Sequence, residues 1–245
     1  ALDTNNPTPA YDEGSTVYNG ILAELDEALS KVSGNEAVVT SFLYPSSLAN
    51  KWIQFANALK LRILMRMSNV ENVQAQLASL IAEDNFPTAD VCFANCWADE
   101  AGKANPFFWE ELSTKSGTQK NVTLNIALWK TMEASNDARL GAFFTTNSDG
   151  NFSGGVSGTN FSLSKEYQAD YWSRPTGNYD TPVHLISVAE INFFLAEYEA
   201  RYGSASKAEA YYKAAIEASF ATAGVEGVDA VLAAYPWDTA NYKEV

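Results

Sequence analysis

Aromatic side chains lie beside hydrogen-bonding residues in three polar stretches of the sequence, NCWADE, NPFFWEE and ADYWSRPTGNY. A flat ring can stack on the C–H face of a sugar, while amide, carboxylate and guanidinium groups bind the sugar hydroxyls. This pattern predicts a carbohydrate-binding surface on loops, and its candidate residues are Tyr171, Trp172, Arg174, Asn178, Trp109 and Trp97.

Trp172, Arg174 and Asn178 form the preferred cluster, because a ring, a cation and an amide lie close together in the sequence. Trp52 and Trp129 lie at the spacing of helix core positions, so we exclude them from the ligand surface. The alternative role for each loop aromatic is to close the hydrophobic core, which is where aromatic side chains usually lie.

Catalytic residues are not predicted. His184 is the only histidine, and in TPVHLIS it lies on an extended apolar approach to a helix, which favours a buried structural role over a general base. No serine or cysteine triad can be assembled around it. The acidic pairs Asp99–Glu100 and Glu110–Glu111 would suit a glycosidase, but adjacent acids in an acidic chain usually lie on solvated surface.

Metal and cofactor sites are not predicted either. Cys92 and Cys96 stand four apart, a spacing that on a helix could bring the sulfurs together as a disulfide or leave two small, partly buried thiols. A zinc site would need two further ligands, and one histidine cannot supply them. The segment NSDGN lacks the closing glutamate of a calcium loop, and SGGVSG lacks the lysine of a phosphate loop.

Composition excludes some classes of partner. The 245 residues are 47% apolar, enough for a large core, and the net charge of −14 opposes both nucleic acid and anionic lipid surfaces. No apolar run approaches the roughly 18 to 20 residues that cross a bilayer. The opening ALDTNNPTPAYDEG lacks the charged head and apolar middle of a signal peptide, so we expect a processed or trimmed chain.

The elements that must position the candidate residues are mostly helices, because apolar residues recur along the chain at helical spacing. It predicts helices over 16–33, 48–67, 73–81 and about 124–134, and a loop or short edge strands over 145–164. Two more helices follow, each with a candidate capping box, Ser187 with Glu190 and Ser206 with Glu209.

The last two helices, at about 187–222, have the spacing of a tetratricopeptide hairpin, with Gly203 predicted as a left-handed helix end. Its pattern residues are Leu195, Ala196, Gly203, Ala208, Tyr212, Ala215 and Ile216. The predicted fold class is therefore all-α, a tetratricopeptide-like scaffold of helical pairs with long aromatic and polar loops and little β-structure.

Cations lie on an apolar helix in NKWIQFANALKLRILMRMSN. Arg66 falls inside the helical stripe that runs from Trp52 to Ile63, and Arg62 lies at its edge. A guanidinium near a core needs carboxylate partners, so we predict that Arg62 and Arg66 form structural ion pairs rather than bind a ligand. The candidate partners are Glu190, Glu197 and Asp137.

The same segment, KWIQFANALKLRILMRMSN, resembles a helix of the SusD/RagB family of outer-membrane nutrient-binding lipoproteins. NDARLGAFF resembles the family's Asp-Pro-Arg-Leu segment, with Ala138 in place of the proline, and PVHLISVAEINFFLAEYEARYG resembles the entry into its last repeat pair. AEAYYKAAIEASF and YDEGSTVYNGILAELDEAL extend the match over about residues 10–224. The branch that the chain most resembles is SusD-like, starch-binding associating with the outer membrane.

The resemblance implies a Bacteroidetes cell-surface lipoprotein, anchored by lipid in the outer membrane. Such proteins are helical scaffolds that deliver glycans or peptides to a TonB-dependent, SusC-like transporter, and they are not enzymes. Residues 1–245 would form a single SusD-like domain, incomplete at both ends, because family members are usually much longer and carry an anchor cysteine near the mature N-terminus.

Two functions follow for the chain. One is binding of an oligosaccharide or polysaccharide at the outer membrane, and the other is a tetratricopeptide-type scaffold for a peptide or protein partner. A peptide-binding array predicts short, regular turns. The long aromatic and polar segments over 84–120 and 141–186 instead favour the glycan-binding function, since long loops often carry binding sites.

Overall fold

The computed structural model describes residues 10–37, 41–44, 49–116, 121–158, 171–238 and 240–241. The chain divides into two compact units, Ala1–Pro87 and Thr88–Val245. The single domain expected over residues 1–245 stays a prediction, and the predicted loop over 145–164 falls partly outside the described residues.

The first unit is built from three helices, α1 (Gly14–Leu29), α2 (Asn50–Met67) and α3 (Gln74–Ala82). The predicted helices over 16–33, 48–67 and 73–81 are confirmed. Helix α2 contacts both of the others because it is apolar on most of its surface. The buried apolar residues of the unit include Leu22, Ala58, Leu61, Ile63, Leu64, Met65, Met67, Leu77 and Leu80.

The predicted core stripe on α2 is wrong in its position. Trp52 is 37% exposed, and of the stripe residues only Ile63 is buried. Arg66, which the stripe placed toward the core, is exposed, and Arg62 is half-buried. The face that carries Leu61 and Leu64 packs inward instead, since α2 is apolar on more than one side and its periodicity alone does not select the buried face.

The second unit contains two short strands and several helices. Strand β1 (Val91–Phe93) pairs antiparallel with β2 (Val183–Ile186), with Cys92 opposite His184. The helical elements, in chain order, are a π-helical turn (Phe108–Leu112), α4 (Ile126–Ala134), α5 (Arg139–Phe143), α6 (Val188–Tyr202), α7 (Ala205–Ala223) and α8 (Val228–Ala234). With only this pair of strands among the described residues, the structure confirms the predicted helical fold with little β-structure.

Helices α6 and α7 form the predicted antiparallel hairpin. Ala208 and Ala215 are fully buried where the two helices approach, and Tyr212 is also buried. The predicted N-cap at the start of α6 is confirmed, because the Ser187 side chain accepts a hydrogen bond from the Glu190 N–H. Side chains from α6, α7 and α8 form one core cluster, Ala196, Tyr212, Ile216, Phe220 and Val231.

The turn between α6 and α7 differs from the prediction. Gly203 has φ −124° and ψ −127°, which is not left-handed, and α7 begins at Ala205 without a side-chain cap. The buried carboxylate of Glu199 accepts a hydrogen bond of 2.8 Å from the Ser204 N–H. A Cβ on Gly203 would lie 2.0 Å from Glu199 Oε2, so the glycine makes room for this carboxylate. Glu199 therefore caps the turn in place of the predicted Ser206–Glu209 box.

The length and mean hydropathy of these helices differ from those of bilayer-crossing segments. In the part of the chain that the structure describes, no helix combines the length and the apolar character that a membrane span requires.

We expect Gly203→Ala to lower the free energy of unfolding by about 1–2 kcal/mol, because the new methyl group displaces the Glu199 carboxylate from the Ser204 N–H. Urea unfolding of the single and double variants measures this effect. The penalty shrinks when Glu199→Ala is already present, and an undiminished penalty would contradict the capping role. Gly20→Ala, at an open position on α1, is the matched control and stabilises slightly.

The Glu36 carboxylate gives the first unit a pH dependence. Hydrogen bonds from the Ser33 side chain and N–H, with a further one from the Gly34 N–H, lower the pKa of Glu36 from 4.5 to about 2. These bonds favour the charged form, so their stabilisation is present above pH 4.5 and is lost as the pH falls toward about 2. We expect carboxyl NMR to show a Glu36 midpoint near 2 that rises in Ser33→Ala, whereas equal midpoints in both proteins would refute the assignment.

Candidate functional site

The second unit contains an open cavity of about 770 Å³, here called cavity A. Its wall is formed by residues 88–90 just before β1, the end of α5, loop 176–182, β2 and the end of α7. The side chains that could contact a ligand there are Thr88, Asp90, Phe143, Thr176, Thr181, His184 and Thr222.

Asp90 organises the polar side of cavity A. Its Oδ1 accepts a hydrogen bond of 2.8 Å from the Val188 N–H in the first turn of α6. Its Oδ2 accepts a bond of 2.8 Å from the Thr222 hydroxyl near the end of α7 and lies 3.2 Å from His184 Nδ1. One carboxylate thus connects β2 with the start of α6 and the end of α7.

His184 is not buried, contrary to the prediction. Its side chain is 39% exposed and lines cavity A. Because Asp90 Oδ2 lies beside Nδ1, Nε2 is the ring nitrogen left for a hydrogen bond with a ligand. The sequence predicted burial because the flanking residues are apolar. In the strand, His184 is exposed and Ile186 is buried, and the β1–β2 register shifts between these two positions, so regular alternation does not apply to them.

Phe143 supplies an aromatic surface at cavity A, with 41% of its residue surface exposed. It ends helix α5, and its carbonyl accepts a hydrogen bond of 2.8 Å from the Thr176 N–H. The ring therefore stands beside the threonine-bearing loop 176–182. An exposed ring next to hydroxyl and imidazole groups is the combination that sugar binding requires.

Asn105 anchors the loop that forms one wall of cavity A. It is only 4% exposed, its Nδ2 donates to the Thr181 carbonyl at 2.8 Å, and its backbone N–H donates to the Tyr179 carbonyl at 2.8 Å. Its Oδ1 accepts a bond of 3.0 Å from the Phe108 N–H. This single buried amide joins the start of the π-helical turn to loop 176–182.

Trp172, Arg174 and Asn178, the preferred cluster, each contact different residues of the protein. Trp172 stacks edge-on against Tyr171, with ring centroids 4.8 Å apart, and its indole N–H is buried without a hydrogen-bond partner. Arg174 donates to the Glu111 carbonyl at 2.8 Å. The Asn178 side chain accepts hydrogen bonds within its own turn, and this residue is exposed beside cavity A.

The remaining aromatic candidates are all half-buried. The Trp97 indole N–H is buried and lacks a hydrogen-bond partner, and the Trp109 carbonyl accepts a hydrogen bond from the Ser116 hydroxyl. Contact of Tyr171, Trp97 or Trp109 with a ligand stays a prediction. Cavity A is formed by other residues, which the sequence analysis missed or assigned a structural role.

The predicted ion pairs of Arg62 and Arg66 with Glu190 and Glu197 also stay predictions. Glu197 forms an ion pair with Arg201, one helical turn further along α6. Asp137, the third candidate partner, instead binds Arg139, with Nη2 and Oδ2 2.6 Å apart.

The two cysteines are free thiols, and both are half-buried. Cys92 lies on strand β1 rather than on a helix, so the helical spacing that we considered does not apply. Burial raises the pKa of the Cys92 thiol above its ordinary value, and the Asp90 carboxylate and the Cys96 thiol add to this increase. Among the described residues, no group of three or more histidine, cysteine or acidic side chains has the arrangement of a metal site.

Sequence comparison identifies a family. A SusD-like family model, described as "Starch-binding associating with outer membrane", matches residues 1–245. No curated protein sequence matches the chain.

Solved structures share the fold. A SusD homologue from Bacteroides uniformis ATCC 8492 is 27% identical, with a TM-score of 0.78 over 95% of this chain and 50% of that one. A Bacteroides vulgatus ATCC 8482 outer-membrane protein described as probably involved in nutrient binding is 23% identical, with a TM-score of 0.75 over 99% and 56%. A chitin-binding SusD homologue from Flavobacterium johnsoniae is 22% identical, with a TM-score of 0.72 over 95% and 49%. The chain thus spans about half the length of these structures.

We expect Asn105→Ala to lower the free energy of unfolding by about 2 kcal/mol, because it removes two side-chain hydrogen bonds and leaves their half-buried backbone partners unpaired. Asn178→Ala, at the exposed tip of the same loop, is the matched control and changes stability much less. Urea unfolding with amide hydrogen exchange of Phe108 measures both effects. Equal losses in the two variants would show that Asn105 does not anchor the loop.

Proposed function

Since the chain belongs to the SusD-like family described as starch-binding and associating with the outer membrane, we propose that it binds carbohydrate at the bacterial outer-membrane surface. The ligand is an oligosaccharide or polysaccharide that the protein delivers to a TonB-dependent, SusC-like transporter, and a lipid anchor holds the protein at the membrane. The description of the Flavobacterium johnsoniae relative as chitin-binding supports a glycan over other nutrients.

Cavity A is the proposed glycan site. The observation that carries this assignment is the exposed ring of Phe143, which lies in the same cavity as the imidazole that Asp90 holds. The ring offers a stacking surface, and His184 Nε2 and the Thr88 hydroxyl offer hydrogen bonds to sugar hydroxyls. The volume of about 770 Å³ lies in the range of small-molecule sites and exceeds the needs of one sugar unit.

Binding without catalysis fits the hydrogen bonds of cavity A. The Thr222 hydroxyl donates to Asp90 rather than to His184, so the imidazole does not activate it as a nucleophile. Asp90 accepts hydrogen bonds from the Val188 N–H and the Thr222 hydroxyl, so both of its oxygens are already engaged within the protein. These contacts favour a role for both residues in holding a ligand.

A screen against soluble polysaccharides by affinity gel and glycan array tests the function. We expect Phe143→Ala to weaken binding about tenfold, corresponding to the loss of one stacked ring, and His184→Ala to weaken binding similarly. Phe143→Leu separates stacking from simple burial, because it keeps an apolar side chain and removes the ring. Melting temperatures confirm that each variant is folded.

Trp172→Ala and Trp109→Ala distinguish cavity A from the loop aromatics that the sequence predicted. If glycan binding is lost only in these two variants while their melting temperatures hold, the site lies at those loops and the assignment to cavity A is wrong. If the intact protein binds no glycan but retains a peptide from a random peptide pool, the tetratricopeptide-type scaffold is the better description of the function.

A further inference from the structure

A second open cavity of about 550 Å³, here called cavity B, lies in the same unit as cavity A. Its wall is rich in aromatic rings, and Phe143 lines both cavities. The two cavities therefore meet at one shared, exposed side chain. The other aromatic residues of cavity B are Phe144, Phe193, Tyr212 and Tyr235.

The polar groups of cavity B are already engaged within the protein. The Asp137 carboxylate binds Arg139, and a second guanidinium nitrogen of Arg139 donates to the Ser219 hydroxyl at 2.7 Å. The Tyr212 hydroxyl donates to the Tyr235 carbonyl at 2.7 Å, and the Tyr235 hydroxyl donates to the Thr131 carbonyl.

The aliphatic hydroxyls of cavity B are engaged in the same way. Thr131 Oγ1 donates to the Ala127 carbonyl at 3.0 Å, and Ser135 Oγ donates to the Thr131 carbonyl at 3.1 Å. A sugar placed in cavity B would lose its hydrogen bonds to water and gain few in return, which costs binding free energy. Cavity B is therefore a poor glycan site, although it adjoins the proposed one.

The rim of cavity B is apolar as well. Leu128 is 46% exposed and Phe193 is 43% exposed, and together with Phe143 they place three large apolar side chains in water around one cavity. Phe193 stands edge-on to Tyr212, with ring centroids 6.2 Å apart. A flat aromatic group that enters cavity B can meet these rings in stacked and edge-on geometries and removes apolar surface from water.

We propose that cavity B binds an aromatic group, carried as an aryl substituent by the glycan whose sugar units occupy cavity A. The placement of the sugar rests on the proposed function, whereas the binding of the ring in cavity B does not. Phe143 lies between the two subsites. Cavity A, on one side, offers hydrogen bonds, whereas cavity B, on the other, is apolar. The preferred ligand class is thus an aryl-substituted glycan rather than a plain one.

Paired glycosides test the inference by isothermal titration calorimetry. The probes are methyl and 4-nitrophenyl α-maltotrioside, and the same two glycosides of N,N′-diacetylchitobiose. We expect the 4-nitrophenyl glycoside of at least one pair to bind about tenfold more tightly than its methyl partner. Leu128→Ser and Phe193→Ser reduce this ratio toward one, because each places a hydroxyl on the apolar rim.

Ile126→Ser is the matched control, since Ile126 is an exposed apolar residue on the same helix as Leu128 and lines neither cavity. It keeps the tenfold ratio. If Phe193→Ser fails to fold, Leu128→Ser alone carries the test, because its side chain is nearly half exposed. Equal affinities for both members of each pair in the unmodified protein overturn the inference and leave the proposed glycan function standing.

The apolar dye N-phenyl-1-naphthylamine separates failure of the inference from failure of the proposed function. Fluorescence enhancement that disappears in Leu128→Ser and persists in Ile126→Ser supports the aromatic site even if no glycoside binds, and the proposed glycan function is then the part that fails. If neither the dye nor any glycoside binds, the inference is overturned.

Discussion

The Asp90 carboxylate is the interaction on which the second unit depends most. Its side chain is 15% exposed and meets a backbone N–H of α6, a hydroxyl of α7 and the imidazole of β2. A carboxylate so enclosed is stable only while its donors remain in place, because an unpaired charge in that position would be costly. The start of the helical hairpin and the orientation of His184 are therefore coupled. The packing of α6, α7 and β2 therefore sets the geometry of the proposed glycan site.

Local sequence patterns were sufficient to predict much of the scaffold. The α6–α7 hairpin depends on small residues at the helix contact and on the cap at Ser187, and both signals lie within one short stretch of sequence. The turn at Gly203 was predicted wrongly because a glycine after a helix usually indicates a left-handed residue. Here the glycine instead leaves space for a buried carboxylate from the preceding helical turn.

The candidate site was less predictable because its residues come from distant parts of the chain. Asp90 meets His184 only through the pairing of β1 with β2, and periodicity gives no register for such short strands. Arg174 illustrates the same limit, since its partner Glu111 belongs to the π-helical turn, far away in the sequence. The aromatic loop residues were recognisable as a class of binding groups. Which rings face solvent depends on long-range packing, and Phe143, at the end of a short helix, gave no distinguishing signal.

The anchored loop at cavity A has a consequence for the entropy of binding. Loop 176–182 is held at Thr181 and Tyr179 by Asn105 and at Thr176 by the backbone of Phe143 before any ligand arrives. A ligand therefore meets a wall whose backbone is already ordered, and little conformational freedom is lost when the complex forms. A few contacts with sugar hydroxyls and ring faces are then enough to give a measurable affinity. Ligand binding and release do not require the loop to rearrange.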